Sequence, residues 1–195
     1  MRSMSRRQFG NMVALMMAAM IGGCALLQPP MGASAPRPPG SAIAAYTLSG
    51  RISVRQGEER HNSNIAWEHD AAHDEILLST LLGQGIAELT RDAVGARLAT
   101  ADRREFSAPD WTALSSRVFG FALPLYRMPR WVVADAPADA KRDAAGRPQQ
   151  FSEDGWTVGY LDYESAAATA LPQLIEIRRD DIVIRLKIDE WQMVR

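Results

Sequence analysis

Cys24 is the residue of this chain whose surroundings point most directly to covalent chemistry. It is the only cysteine among the 195 residues, and the tripeptide Ile21-Gly22-Gly23 precedes it. A branched aliphatic residue followed by two very small residues and a cysteine resembles a bacterial lipobox, in which the small residues let a signal peptidase reach the bond before the cysteine. The pattern predicts that the Cys24 thiol carries diacylglycerol and that its freed amine is acylated. The alternative is a plain secretory signal with an incidental cysteine.

The segment in front of Cys24 has the properties of an export signal. Residues 1–10 carry three arginines and no acidic residue, and the apolar run 12–21 has the length of a signal-peptide core. Residues 5–9, Ser-Arg-Arg-Gln-Phe, also resemble a twin-arginine signal, with an ordinary charged leader as the alternative. We therefore expect a leader over residues 1–23 and a mature chain that is anchored to a membrane through lipid. Ala25 carries no inner-membrane retention signal of the enteric type, which favours the outer membrane.

The other residues whose side chains could react or bind a metal do not form a catalytic or metal-binding pattern. His69 and His73 flank a short turn beside Asp74, so a surface metal site is conceivable, but solvated hairpin residues explain the pattern more simply. There is no Gly-x-Ser-x-Gly elbow, and Gly83-Gln84-Gly85 is a bare Gly-x-Gly without a phosphate-binding loop. We therefore expect no enzyme, no cofactor and no metal.

The amino-acid composition excludes two further classes of protein. The chain has 22 Lys+Arg and 23 Asp+Glu, a net charge of -1, which excludes the strongly basic surface of a general nucleic-acid binder. With 47% hydrophobic residues it is too apolar for a disordered protein. Residues 24–45 are rich in Pro and small residues and are typical of an extended tether, so the folded domain is predicted over residues 46–195.

Alternation of apolar and polar residues predicts a mainly β domain. The last strand is the clearest, because Ile182, Ile184, Leu186 and Ile188 alternate with Val183, Arg185, Lys187 and Asp189, as in an antiparallel sheet covered on one side. The predicted strands are residues 46–55, 62–68, 74–80, 85–91, 96–101, 105–107, 147–153, 156–163, 174–178 and 182–189. Residues 138–146 are predicted as a loop.

Two helices interrupt the strands in mid-chain. Pro109-Asp110 opens the first, with Trp111, Leu114, Val118 and Phe119 on one apolar stripe, and the second is predicted from about Pro124 to before Pro137. A sheet of roughly ten strands must curl. The predicted fold is therefore a curled sheet of roughly ten antiparallel strands, covered by two short helices with an apolar cavity between. Candidate lining residues are Trp67, Leu78, Trp111, Leu114, Val118, Leu125, Trp131, Trp156 and Tyr160.

Leu81 and Leu82 stand at a predicted hairpin tip where polar turn residues are usual. Two interpretations fit them. The tip could fold back onto the core, or it could form an exposed apolar finger that touches a membrane.

The ordered motifs of the domain resemble the LolB family of outer-membrane lipoprotein receptors. No single motif is decisive, but together they follow the family's order and come after a lipobox. They are Trp67, residues 77–83, residues 120–125, Trp131, residues 155–160, Tyr163, residues 171–172, residues 186–188 and Trp191. The sequence departs from the family at Leu81, where Pro is common, and at residues 41–45, where members usually have a helix.

The resemblance implies an incomplete antiparallel β-barrel of about 10–11 strands, covered by short helices, that binds acyl chains in an apolar cavity. It implies a receptor that takes lipoproteins from the soluble periplasmic carrier LolA and places them in the outer membrane, with outer-membrane lipid and acylated lipoprotein as partners. It implies membrane contact through Leu82, which best matches the family's loop leucine, with Leu81 beside it. We expect a monomer. A generic outer-membrane lipoprotein with a lipid- or peptide-binding pocket and a periplasmic hydrolase are the alternatives.

Overall fold

The computed structural model describes residues 39–193, so the predicted leader, Cys24 and most of the predicted tether lie outside the described residues. Eleven strands make up most of what it describes. Their bounds are β1 Tyr46–Gln56, β2 Glu59–His69, β3 Asp74–Ser79, β4 Gly85–Arg91, β5 Ala96–Thr100, β6 Glu105–Ala108, β7 Lys141–Arg142, β8 Pro148–Glu153, β9 Trp156–Tyr163, β10 Pro172–Arg179 and β11 Ile182–Met193.

All eleven strands belong to one antiparallel sheet. Its order is β6-β5-β4-β3-β2-β1-β11-β10-β9-β8-β7, so the first and last strands of the domain pair with each other at the centre. β6 and β7 are the two edges, and the sheet does not close. The prediction of an open antiparallel sheet of 10–11 strands is confirmed. The eleventh strand is the two-residue β7, which lies in the stretch predicted as a loop.

The alternation of residue types divides the sheet into two faces. On the inner face, Leu48, Ile65 and Leu186 are buried, whereas Arg51 and Lys187 lie on the outer face and are exposed. A single face therefore carries the hydrophobic core, as the alternation in β11 predicts. The structure extends β11 to Met193, and Trp191 near its end donates a hydrogen bond to the carbonyl of Pro172 at 3.2 Å.

Two helices lie between β6 and β7. Helix α1 spans Trp111–Phe119; the Asp110 side chain caps it by accepting a hydrogen bond from the amide of Ala113, and Gly120 ends it with φ +79°. Helix α2 spans only Met128–Val132, so the prediction of a second helix from Pro124 is wrong at its start. There the carbonyl of Pro124 accepts from the amide of Arg127 in a turn. Neither helix is long and apolar enough to cross a bilayer, nor is any other helix within residues 39–193.

The two helices cover the inner face unequally. Helix α2 packs directly on β8 and β9: Trp131 is fully buried, its ring lies 6.1 Å from that of Phe151, and its carbonyl accepts from the Tyr160 hydroxyl at 2.8 Å. Helix α1 contacts β5 and β6 at the other edge of the sheet. The inner face between these two contacts is only partly filled.

Asp74 lies at the centre of a buried polar cluster on the inner face of the sheet. The carboxylate is 1% exposed and accepts hydrogen bonds from Trp67 Nε1 at 3.1 Å, His69 Nδ1 at 2.6 Å and Arg91 Nε at 2.6 Å. Burial alone would raise the pKa of Asp74, but the bonds from His69 and Arg91 outweigh it and hold the pKa below its ordinary value. The interpretation of His69 and Asp74 as solvated hairpin residues is therefore wrong. Their strand positions place both on the inner face.

We expect Asp74→Ala to lower the free energy of unfolding by about 3–5 kcal/mol, because it leaves Arg91 and His69 without their shared carboxylate. Since the folded-state pKa of Asp74 lies below its unfolded value, its stabilisation is complete above the unfolded value and disappears as the pH falls through the folded one. Urea unfolding between pH 3 and 7 measures both effects. Asp74→Asn should flatten the acid limb of the stability curve, and an unchanged acid limb would contradict this role.

Candidate functional site

An apolar cavity of about 690 Å³ occupies the unfilled part of the inner face. Its floor is formed by β1 to β5 with one residue of β11, and its roof by the end of α1, the following segment and the start of α2. Apolar side chains dominate the wall. They include Ile52, Val54, Ile65, Ile76, Leu89, Leu98, Phe119, Phe121, Met128 and Ile184.

The predicted lining residues divide into two groups. Four of the nine line this cavity: Trp67, Leu78, Val118 and Leu125. The other five do not line it. They are Trp111, Leu114, Trp131, Trp156 and Tyr160, all buried in the packed core. The cavity thus lies over β1 to β5 and not around the buried helix tryptophans.

Several lining residues were missed from the sequence. Ile76, Leu89 and Leu98 lie opposite one another on the inner faces of β3, β4 and β5, and they form the deep part of the floor. Their alternation within short strands is the signal that could have identified them. Phe119 and Phe121 lie on either side of the Gly120 that ends α1, with ring centroids 6.3 Å apart. Phe119 ends the apolar stripe of α1, so its periodicity could have identified it, whereas Phe121 follows the helix end and belongs to no periodic pattern.

The cavity opens at one end of the sheet. Its deep wall is formed by buried residues such as Trp67 and Met128, which are 2% and 3% exposed. Its exposed lining residues, among them Glu59 and His61, lie beside the turn between β1 and β2. Because strands alternate in direction, the turns joining β3 to β4 and β5 to β6 lie at this same end.

The turn between β3 and β4 carries Leu81 and Leu82, and we name residues 80–84 the finger. Leu81 is 69% exposed and Leu82 is 91% exposed, so the tip does not fold back onto the core. Hydrogen bonds connect the backbone of the finger: the carbonyl of Thr80 accepts from the amide of Gly83 at 2.9 Å and from the side chain of Asn64 at 2.9 Å. Gly83 has φ +84°, a conformation that favours glycine.

Among the described residues, no group of three or more His, Cys, Asp or Glu side chains could hold a metal ion. The lining of the cavity is suited to excluding water from an apolar ligand, and the finger presents two leucines to the solvent beside its opening.

Comparison with known proteins gives consistent matches. The family described as "Outer membrane lipoprotein LolB" matches residues 44–191. A protein named outer-membrane lipoprotein LolB from Azoarcus sp. (strain BH72) is 36% identical over 97% of this chain and 98% of its own length. Proteins of the same name from Thiobacillus denitrificans and Nitrosomonas europaea are 35% and 37% identical, covering 88% and 75% of this chain and 91% and 72% of their own lengths.

Proposed function

The chain belongs to the LolB family of outer-membrane lipoproteins, and from this premise we propose that it receives acylated lipoproteins from a LolA-type periplasmic carrier and inserts them into the outer membrane. The cargo's acyl chains occupy the cavity during the exchange. The protein acts by binding and not by catalysis. One observation carries the proposal: an apolar cavity opens at the end of the sheet where two exposed leucines project.

The size of the hydrocarbon in the cargo explains the need for a cavity. A triacylated lipoprotein carries roughly 45 methylenes, and at about 0.8 kcal/mol each their exposure to water would cost some 35 kcal/mol. The acyl chains must therefore pass from one apolar environment to the next. Each step then requires only a difference in affinity between the two sites and no external energy source.

The volume of the cavity indicates how acceptance proceeds. A methylene fills about as much space as a water molecule in the liquid, ~30 Å³. A cavity of about 690 Å³ therefore has room for roughly half of the hydrocarbon of a triacylated cargo. We expect the roof formed by α1 and the segment after it to move outward when cargo enters.

The proposed role of the finger is release. Leu82 and Leu81 contact the bilayer, which brings the opening of the cavity to the lipid surface so that the acyl chains move directly into the membrane. Their exposure supports this role, since a solvent-exposed leucine pair contributes little to folding.

A transfer experiment tests the proposal. Radiolabelled triacylated lipoprotein bound to the LolA-type carrier is mixed with the purified protein, and the label is followed by affinity capture of each partner. We expect the label to move to this protein and then, on addition of phospholipid vesicles, into the vesicles. Label that stays on the carrier would overturn the proposal.

The anchor gives a separate prediction. We expect Cys24→Ser to abolish incorporation of radiolabelled palmitate, because the thiol that accepts diacylglycerol is gone. The protein should then leave the outer-membrane fraction, while acceptance of cargo in solution persists because the cavity lies in residues 52–184. Metabolic labelling followed by membrane fractionation measures both effects. Retained label in the variant would contradict the assignment of Cys24.

A further inference from the structure

The wall of the cavity is not apolar throughout, and its polar part is concentrated on one strand. Glu59, His61 and Ser63 succeed one another at alternate positions of β2, and all three line the cavity near its opening. We name these three residues the β2 stripe. Farther along the same face of the strand the lining becomes apolar, with Ile65 and Trp67.

The β2 stripe is not required by the fold. Its neighbours on β1, directly across the strand pair, are Ile52 opposite Ser63 and Val54 opposite His61, and Ile184 of β11 follows at the same level. Opposite Glu59, β1 carries the polar Gln56, and the side chains of Glu59 and His61 are largely exposed at the opening, so Ser63 is the member of the stripe that interrupts an apolar part of the wall. A half-buried hydroxyl placed against apolar neighbours such as Ile52 and Ile65 indicates a role outside folding, and His61 and Glu59 continue it as a polar row to the opening.

The side chains of the stripe have unused hydrogen-bonding capacity. Within residues 39–193, Ser63 makes no side-chain hydrogen bond, and the contact of His61 with Glu59 is a distant one of 3.9 Å. The stripe therefore presents a hydroxyl, an imidazole and a carboxylate that are free to bind a ligand at the cavity opening. Arg60 and Asn62, which alternate with the stripe, border the same opening.

The length of the stripe identifies the kind of ligand group that fits it. Four residues separate Ser63 from Glu59, which corresponds to about 13 Å along a strand. An ester linkage or a single headgroup is shorter than this row. An extended peptide of about four residues has the same length and carries amide donors and acceptors throughout.

We propose that the β2 stripe is a subsite for the peptide portion of an acylated polypeptide. The acyl chains occupy the apolar part of the cavity, and the residues that follow the acylated cysteine lie along Ser63, His61 and Glu59, which bind their amide groups. The inference rests on the proposed function and adds a specificity to it: the site distinguishes a lipoprotein from a phospholipid, which has acyl chains but no peptide.

The test compares two soluble probes on the full lipidated protein held in phospholipid nanodiscs. One probe is a cysteine methyl amide bearing three octanoyl chains, and the other is the same acylated cysteine extended by four residues. Binding is measured by displacement of an apolar fluorescent dye, with empty nanodiscs as the blank. We expect the unaltered protein to bind the extended probe about tenfold more tightly than the short one, since two or three neutral hydrogen bonds to a bound peptide give an effect of this size.

The double variant His61→Leu/Ser63→Ala should reduce this preference to less than threefold by weakening binding of the extended probe alone. Ser53→Ala, on the outer face of the neighbouring strand, is the matched control and should keep the preference. Ser63→Ala alone should give a partial loss if the double variant folds poorly. A preference that survives in the double variant, or that is absent from the unaltered protein, overturns the proposal.

Two further outcomes separate this inference from the proposed function. The double variant could also weaken the binding of dioctanoyl phosphatidylglycerol as much as the binding of the extended probe. In that case the stripe is a general polar rim, and its specificity for peptide is overturned. Failure of the unaltered protein to bind either acylated probe would overturn the acyl-binding function itself, and the subsite with it.

Discussion

Leu82→Glu is expected to block the delivery of lipoprotein to membranes while leaving its acceptance from the carrier unchanged. Leu82 is 91% exposed, so the substitution should change the free energy of unfolding by less than about 0.5 kcal/mol. A carboxylate at the lipid boundary must lose its hydration or its charge to enter the bilayer, which costs several kcal/mol. We therefore expect incorporation of labelled lipoprotein into vesicles to fall at least tenfold.

Val94→Glu is the matched control for this experiment. Val94 is 93% exposed, and it lies in the turn between β4 and β5, at the opposite end of the sheet from the finger. The control introduces the same charge at an equally exposed apolar position and should deliver cargo normally. If both variants deliver at the normal rate, membrane contact lies on another surface. If both are equally impaired, the effect is one of net charge and not of the finger.

Ala87→Trp is expected to remove acyl binding by filling the cavity. Ala87 lies on the inner face of β4 between Leu78 and Thr100 and lines the cavity, so the indole has empty space to occupy. Because it fills a void, the substitution should change the free energy of unfolding by no more than about 1 kcal/mol. Binding of an apolar fluorescent probe and uptake of lipoprotein from the carrier should each fall at least tenfold.

The corresponding control is Ala66→Trp, which places the same indole on the outer face of β2. It should bind the probe as the unaltered protein does. Normal probe binding by Ala87→Trp would show that acyl chains do not occupy this cavity. Weakened binding in both variants would point to a general effect on the sheet, which thermal unfolding of each variant would reveal.

The strands were largely predictable because each depends on a local pattern. The alternation from Ile182 to Ile188 assigns both the strand and its buried face, and Asp110 marks the start of α1 because its side chain caps the helix. The start of α2 was not predictable in the same way. Pro124 is compatible with a helix start, but a turn ending at Arg127 follows it instead.

The candidate site was predictable only in part. Leu82 is identifiable from its type alone, since leucine is unusual at a hairpin tip, and its exposure agrees with one of the two interpretations left open. The cavity wall is different, because Trp131 and Trp67 are equally apolar and equally buried, yet only Trp67 borders the cavity. Apolar character determines that a side chain leaves water and does not determine whether it meets another side chain or an empty space.

The sequence by itself thus predicted a lipobox at Cys24, and it determined the antiparallel strands with one apolar face and the pair of leucines at a turn. These features depend on residue type and short-range spacing, which act through local geometry. The tertiary structure alone decided where the cavity lies. Helix α2 packs onto β8 and β9 while α1 contacts β5 and β6, and the space between them remains open over β1 to β5. That arrangement depends on contacts between residues distant in the chain, such as Trp131 with Phe151 and Tyr160, which no local pattern specifies.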